Sequence, residues 1–123
     1  MSVLDPDSVV MPTARIGRGV FIGARSVLQA RARIGDHAIV NTGAIVEHDC
    51  AIGENVHVAP GAVLGGGVTV GDDTLIGLGA RVKPGVTIGS GATVGMGAVV
   101  LADVGDGETA VGNPARVLVR AGS

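Results

Sequence analysis

The chain has 123 residues, a net charge of −2 and 46% hydrophobic residues, which fits one domain with an apolar core. Its nine basic residues are scattered rather than clustered, which argues against nucleic acid as a partner. No run of 18 apolar residues and no basic-then-apolar start is present, so the sequence predicts a cytoplasmic protein with no membrane association. The single cysteine, Cys50, excludes a disulfide within the chain.

A six-residue repeat runs through almost the whole chain. From Ile16 to Val100 every sixth residue is aliphatic, at fifteen positions, and the residue two places earlier is small in most repeats. Three residues after the aliphatic position, twelve of the fifteen residues are Gly, Asp or Asn, which accept a positive φ at little steric cost. Each repeat therefore predicts one short strand and one corner, with the aliphatic and the small residue facing inward.

Three such sides close a triangular coil of 18 residues, and successive coils stack about 4.8 Å apart, the spacing of paired strands. Residues 1–15 predict a looser first coil, and residues 16–102 keep the repeat without an insertion. We therefore divide the chain into a repeat helix at 1–102 and a C-terminal capping segment at 103–123, where the repeat is lost. The predicted fold is all-β, a parallel β-helix of about five to six triangular coils.

Two histidines on the outside of this prism are the main candidates for chemistry, because its interior is filled. His48 lies at a corner, where no packing reason requires an imidazole. His57 precedes the inward Val58 and should project from a flat face, half a coil from His48. The two rings can therefore meet only between subunits, with three prisms closing a ring as a homotrimer. Asn41 stacks one coil below Ala59, which places it near His57.

The segment Ile45–Cys50, with the sequence IVEHDC, and the preceding Asn41 resemble a motif of the hexapeptide-repeat acyltransferases. The motif carries the catalytic histidine of bacterial sugar acetyltransferases that act on amino sugars, UDP-amino sugars or sialic acid. The resemblance implies a left-handed helix, acetyl-CoA as donor and a small-molecule sugar as acceptor. It also implies that Asp49 or Glu47 orients His48, and we favour Asp49. Those relatives usually carry an N-terminal nucleotide-sugar-binding domain, whereas this chain begins almost where the β-helix begins.

A groove for the donor is predicted from the residues that stack on His48 in the later coils, at steps of 18 residues. The column contains Gly66, Pro84 and Ala102, which have small or restricted side chains and leave room for a pantetheine arm. Lys83, Arg120 and Arg116, the last in a Gly-Asn-Pro-Ala-Arg ending, are candidates for the coenzyme phosphates. The predicted site joins His48 and Asp49 of one chain to Asn41 and His57 of its neighbour, which bind the acceptor.

The predicted reaction is direct acetyl transfer with His48 as general base. It removes a proton from an amino or hydroxyl group that attacks the thioester, while the backbone N–H of Gly66 or the His57 ring stabilises the oxyanion. Two alternatives remain open. One is a structural β-helix module without catalysis. The other is a γ-type carbonic anhydrase, whose zinc site requires two histidines five residues apart, whereas the histidines here are 11 and 9 residues apart.

Overall fold

The computed structural model describes residues 1–118 and builds them from short strands joined by turns. Each strand pairs in parallel with the equivalent strands of the coils before and after it, as where Val27 pairs with Ile45 and Ile45 with Val63. The strands are β1 (Val3–Leu4), β2 (Val9–Val10), β3 (Arg15–Ile16), β4 (Phe21–Ile22), β5 (Val27–Leu28), β6 (Arg33–Ile34), β7 (Ile39–Val40), β8 (Ile45–Val46), β9 (Ala51–Ile52), β10 (His57–Val58), β11 (Val63–Leu64), β12 (Thr69–Val70), β13 (Leu75–Ile76), β14 (Arg81–Val82), β15 (Thr87–Ile88), β16 (Thr93–Val94), β17 (Val99–Val100), β18 (Thr109–Gly112) and β19 (Ala115–Val117).

Three sheets form the three sides of the prism. Face A contains β1, β4, β7, β10, β13, β16, β18 and β19, face B contains β2, β5, β8, β11, β14 and β17, and face C contains β3, β6, β9, β12 and β15. The B/C edge is the line of corners between faces B and C, formed by residues 11–14, 29–32, 47–50, 65–68, 83–86 and 101–103. The all-β, parallel, triangular coil predicted from the repeat is confirmed. Within residues 1–118 no helix is long and apolar enough to cross a membrane.

The repeat positions form the core. From Ile22 to Val100 each predicted aliphatic position is at most 4% exposed. The buried hydroxyls of Ser26 and Thr74 each donate to a carbonyl oxygen 15 residues later, at 2.6 Å. The Cys50 thiol donates in the same way to the Gly65 carbonyl at 3.1 Å, and burial raises its pKa. Cys50 is therefore a core residue rather than an exposed nucleophile.

The corners adopt the left-handed conformation that the repeat predicts. Every sixth residue from Gly19 to Gly97 has a positive φ, including Arg25 and Arg31, whose residue type rarely adopts it. A left-handed backbone costs such a residue roughly 1–2 kcal/mol. The stack of paired coils on either side holds these two residues in place nevertheless.

The chain continues to coil beyond Ala102, where the strict six-residue frame ends. Val104 bridges to Ile88, and Ala110 pairs with Val94. Each of the two residues is two positions closer to its partner along the chain than the regular repeat would place it. The chain therefore continues for most of another coil through a corner that is two residues shorter. Val104 and Ala110 remain buried there and extend the core. Beyond it, β19 folds back antiparallel onto β18 and covers the C-terminal end of face A.

A close contact between coils explains why glycine so often follows the aliphatic position. A Cβ at Gly35 would lie 2.6 Å from the carbonyl carbon of Gly53 and 2.8 Å from the nitrogen of Glu54. We expect Gly35→Ala to lower the free energy of unfolding by about 1–3 kcal/mol, because rigid backbone must move apart. Urea unfolding measures this change. Gly91→Asn is the control, since its φ of 62° suits Asn and its Cβ would meet nothing within 4 Å. An unchanged midpoint for Gly35→Ala would contradict this packing.

Candidate functional site

The corner after β8 presents His48 and Asp49 to solvent on the B/C edge. Their side chains are 60% and 45% exposed, so neither is held there by burial. His48 Nδ1 lies 2.9 Å from Asp49 Oδ2, within hydrogen-bond distance. The structure thus places Asp49 against the imidazole, as we favoured over Glu47, whereas the catalytic roles of both residues stay predictions.

Arg31 holds Asp49 from the coil below. Its Nε donates to Asp49 Oδ1 at 2.7 Å and its Nη2 to Oδ2 at 2.9 Å, a two-bond pairing of guanidinium and carboxylate. The Arg31 hydrogen bond, and after it the His48 hydrogen bond, holds the pKa of Asp49 well below its usual range. Arg31 was not among the site residues predicted from the sequence, although it occupies the position equivalent to Asp49 in the preceding coil and so stands in the same column.

This arrangement determines which nitrogen of His48 carries the proton. An ionised carboxylate only accepts hydrogen bonds, so Asp49 Oδ2 requires a proton on His48 Nδ1. In the neutral ring Nε2 is then left with its lone pair. An imidazole in this tautomer is able to accept a proton at Nε2, which is the property that a general base needs.

Gly66 provides the space into which the His48 ring extends. A Cβ at position 66 would lie 2.5 Å from His48 Nε2 and 2.7 Å from Cε1, so any larger residue would displace the ring. Within residues 1–118 the Gly66 N–H donates to no acceptor, which leaves it available to a ligand beside Nε2. His48 Nε2 and the backbone of Gly66 therefore lie close together on the B/C edge.

A second polar pair lies on face A. Asn41 Nδ2 is 3.2 Å from His57 Nε2, so the two residues that the stacking predicted to be neighbours are in contact. Asn41 Oδ1 accepts from the Thr42 N–H at 2.8 Å, which fixes the amide with its NH₂ group toward His57. His57 Nε2 is then the acceptor, and its proton is on Nδ1. The structure does not bring this pair to His48 and Asp49 within one chain.

The residues predicted to bind the donor are distributed over two parts of the prism. Lys83 and Pro84 follow Gly65 and Gly66 along the B/C edge, where the Pro84 ring packs against Gly65. Ala102 lies in the shortened corner at the end of this edge. Arg116 is exposed in β19 and belongs to face A instead. Arg120 lies outside the described residues. Among residues 1–118 no group of three His, Cys, Asp or Glu side chains could hold a metal ion.

Two family models match the sequence. One, described as "GMPPB C-terminal domain", covers residues 1–78. The other, described as "Hexapeptide repeat of succinyl-transferase", covers residues 67–102. A comparison with curated proteins gives no match.

Several solved structures superpose on nearly the whole chain. The acetyltransferase domain of PglB from Neisseria gonorrhoeae, in complex with acetyl coenzyme A, is 44% identical with a TM-score of 0.94, over 95% of this chain and 57% of that one. A histidine-to-asparagine mutant of perosamine N-acetyltransferase from Caulobacter crescentus, in complex with CoA and GDP-perosamine, is 44% identical with a TM-score of 0.96, over 97% and 57%. WeeI from Acinetobacter baumannii is 39% identical with a TM-score of 0.93, over 96% and 58%. The chain thus spans less than two thirds of the length of each of these proteins.

The pairing of Arg31 with Asp49 makes a prediction about acid pH. We expect Arg31→Gln to move the titration midpoint of Asp49 upward, toward the ordinary value of about 3.9, because the hydrogen bonds from Arg31 are the main cause of its lowered pKa. A carboxyl carbon NMR titration measures this midpoint, with Arg33→Gln as the control.

Because the pKa of Asp49 is depressed in the folded state, the pair of Arg31 and Asp49 stabilises the fold above the ordinary carboxyl pKa and loses this effect as the pH falls. The stability difference between wild type and Arg31→Gln should therefore vanish in acid. An unmoved midpoint would contradict the assignment.

Proposed function

Because this chain belongs to the hexapeptide-repeat acyltransferases and shares their left-handed parallel β-helix, we propose that it is an acetyl-CoA-dependent acetyltransferase. The acceptor is an amino or hydroxyl group of a sugar or nucleotide sugar. The observation that carries the proposal is the arrangement of the His48 ring. Its Nδ1 lies within hydrogen-bond distance of Asp49, and its Nε2 lies over Gly66. A cytoplasmic location, predicted from the sequence, is part of the proposal.

Acetyl-CoA fits the B/C edge on the C-terminal side of His48. The edge has no bulky side chain at Gly66, and Pro84 one coil further has a compact ring and no N–H. A thin pantetheine arm can therefore lie along the edge, with its thioester carbonyl near the N–H of Gly66. Lys83 is exposed two coils beyond Glu47, and Ala102 ends the column. In this proposal Lys83, with Arg116 of the neighbouring chain, binds the phosphates of the coenzyme.

The reaction is a direct transfer between two bound substrates. His48 Nε2 accepts a proton as the acceptor nitrogen or oxygen forms its bond to the thioester carbonyl carbon. The carbonyl oxygen gains negative charge, which the Gly66 N–H stabilises, or the Nδ1–H of His57 from the neighbouring chain. The carbon–sulfur bond then breaks, and the proton passes to the sulfur as coenzyme A leaves. Asp49 stabilises the imidazolium that exists between the two proton transfers.

A homotrimer is the assembly that completes this site. Apolar residues project outward from face A, including Val3, Phe21 and Leu75, which are 57%, 41% and 39% exposed. Face B likewise projects Val9, which is 48% exposed, and Ile45 in the middle of the face. Face C projects polar residues, apart from Ala51, at its outward positions: Arg15, Arg33, Thr69 and Thr87. Two mainly apolar faces, apart from Arg81 on face B, and one polar face suit a ring in which face A of each chain packs on face B of the next.

This ring brings together the two histidine pairs that one chain keeps apart. His48 follows the end of β8 on face B, and His57 begins β10 on face A. When face B of one chain packs on face A of its neighbour, the corner with His48 adjoins the neighbour's strand with His57. Asn41 and His57 of the neighbouring chain then border the acceptor site on the side opposite His48, at a similar height along the prism.

The assembly is tested by its mass and by single charges placed on face B and on face C. We expect light scattering after size exclusion to give the mass of three 12.0-kDa chains. Ile45→Glu, in the middle of face B, should yield monomers because it buries an unpaired carboxylate in the interface. Thr69→Glu, on face C, should remain trimeric. A wild-type monomer, or a trimer insensitive to Ile45→Glu, would refute the arrangement.

The enzymatic proposal is tested by release of coenzyme A thiol from acetyl-CoA with a panel of amino sugars and nucleotide sugars. His48→Asn should lower kcat by about 10²-fold or more, the usual contribution of a general base. Gly66→Ala should lower it as well, since the methyl group displaces the ring while the melting temperature stays nearly unchanged. His37→Asn is the matched control, because His37 is an exposed corner residue away from this site.

A structural module without catalysis is the alternative that this experiment separates. In that case no acceptor would release thiol, and coenzyme A at millimolar concentration would leave the melting temperature unchanged. Activity that survives in His48→Asn would instead refute the role given to His48.

A further inference from the structure

Three arginines line an open groove of about 670 Å³ next to the reacting corner, on its N-terminal side. We call it the arginine groove, and it is lined by Pro12, Thr13, Arg15, Arg31, Arg33 and Asp49. It extends from the B/C edge onto face C. The donor column runs from His48 in the opposite direction, toward the C-terminus, so the groove and the column meet only at the corner after β8.

The groove has more positive charge than its partners neutralise. Arg15 and Arg33 pair in register on adjacent strands of face C, about 4.8 Å apart, where two like charges repel each other. Within residues 1–118 neither forms an ion pair, whereas the charge of Arg31 is matched by Asp49. The chain as a whole has a net charge of −2, so this surplus is local.

The acidic residues of face C lie at its other edge, away from the groove. Asp36, Asp72 and Asp106 each accept a backbone N–H from the preceding coil at the corners between faces C and A, at 2.8 to 2.9 Å. Their carboxylates stabilise the turns there and leave the arginines unpaired. These three carboxylates therefore lie away from the groove, and Asp49 in its lining is already bound by Arg31.

The fold does not require arginine at any of these positions. The positions equivalent to Arg15 and Arg33 in later coils are occupied by Ala51, Thr69 and Thr87. Arg31 has a φ of 61° at a corner where the repeat mostly places Gly, Asp or Asn, and this backbone costs roughly 1–2 kcal/mol. The groove thus contains a repulsion between Arg15 and Arg33 that neither packing nor an ion pair explains, which points to an anionic ligand.

Thr13 adds a neutral donor to the groove. Its hydroxyl oxygen accepts a hydrogen bond from the backbone N–H of Arg31 at 3.1 Å, which leaves the hydroxyl proton available to an acceptor atom. Guanidinium forks together with a hydroxyl donor match the several oxygens of a phosphate group better than they match a neutral sugar.

We infer that Arg15 and Arg33, with Thr13 and the exposed side of Arg31, bind a phosphate group of the acceptor. This inference rests on the proposed function. The phosphate of the acceptor then lies in the arginine groove, on the β-helix itself, while the amino or hydroxyl group of the acceptor reaches His48 Nε2. Face C is left open in the proposed trimer, so the groove remains accessible.

The binding test uses inorganic pyrophosphate and follows the Nε–Hε signals of the arginines by NMR. We expect a saturable shift of the Arg15 and Arg33 signals, and about a tenfold weaker Kd in Arg15→Gln and in Arg33→Gln. Thr87→Glu lowers the net charge by the same amount on the same face, but lies three coils beyond Arg33, or about 14 Å. This distance exceeds the Debye length of about 8 Å at physiological salt, so the control should bind pyrophosphate normally.

Saturating coenzyme A identifies which substrate the phosphate site serves. We expect pyrophosphate to remain bound in its presence, because the donor column lies on the other side of His48. Displacement by coenzyme A would overturn the inference, as would unmoved arginine signals or equal affinity in the two glutamine variants.

Kinetics separates failure of this inference from failure of the proposed function. A phosphate-bearing amino sugar and its phosphate-free parent are compared as acceptors for wild type and Arg33→Gln. We expect Arg33→Gln to raise KM about tenfold for the phosphate-bearing acceptor and to leave the parent and acetyl-CoA unaffected. Acetylation of both acceptors without any effect of Arg33→Gln would refute the phosphate subsite and leave the acetyltransferase intact. Pyrophosphate binding at Arg15 and Arg33 without acetylation of any acceptor would refute the acetyltransferase and preserve the anion site.

Discussion

The register between successive coils determines which side chains of this protein touch. The N–H of Ile45 donates to the carbonyl of Ala62 at 2.9 Å and the N–H of Val63 to that of Ala80, and the pattern repeats along each face. A slip of one residue would turn the inward aliphatic side chains outward, so the register cannot change without loss of the core. Every exposed side chain thus has fixed neighbours at the equivalent positions of the coils before and after it.

The chemistry at the corner after β8 depends on this register in both directions along the prism. Toward the N-terminus Arg31 holds Asp49, and Asp49 in turn fixes the tautomer of His48. Toward the C-terminus Gly66 leaves the space that His48 Nε2 occupies. Residues of three successive coils therefore set the tautomer and position of His48 Nε2. The segment from Ile45 to Cys50 alone would not set them.

Most of the architecture could be predicted from the sequence because one simple rule, burial of every sixth residue, is repeated so often. The contacts of Asn41 with His57 and of His48 with Asp49 follow from counting along the same repeat. Arg31 was missed because the repeat restricts the backbone at its corner but not the side chain. Counting one coil back from Asp49 would have found it. The shortened last coil was missed for a related reason: Val104 and Ala110 keep the core filled although they stand off the six-residue frame. The physical requirement is a filled core and paired strands, and the strict spacing is only its commonest solution.

The unequal faces of the prism account for how two substrates would approach His48 in the proposed reaction. In the proposed trimer, faces A and B pack on other copies, which leaves the B/C edge at the rim of each contact and face C in solvent. From His48 the side-chain-poor column extends toward Ala102, and the arginine groove extends toward Thr13. In the proposed reaction, donor and acceptor therefore occupy opposite directions along the same edge and meet only at Nε2. Because the two proposed paths do not cross, coenzyme A would leave along its column while the acetylated product is still held by its phosphate.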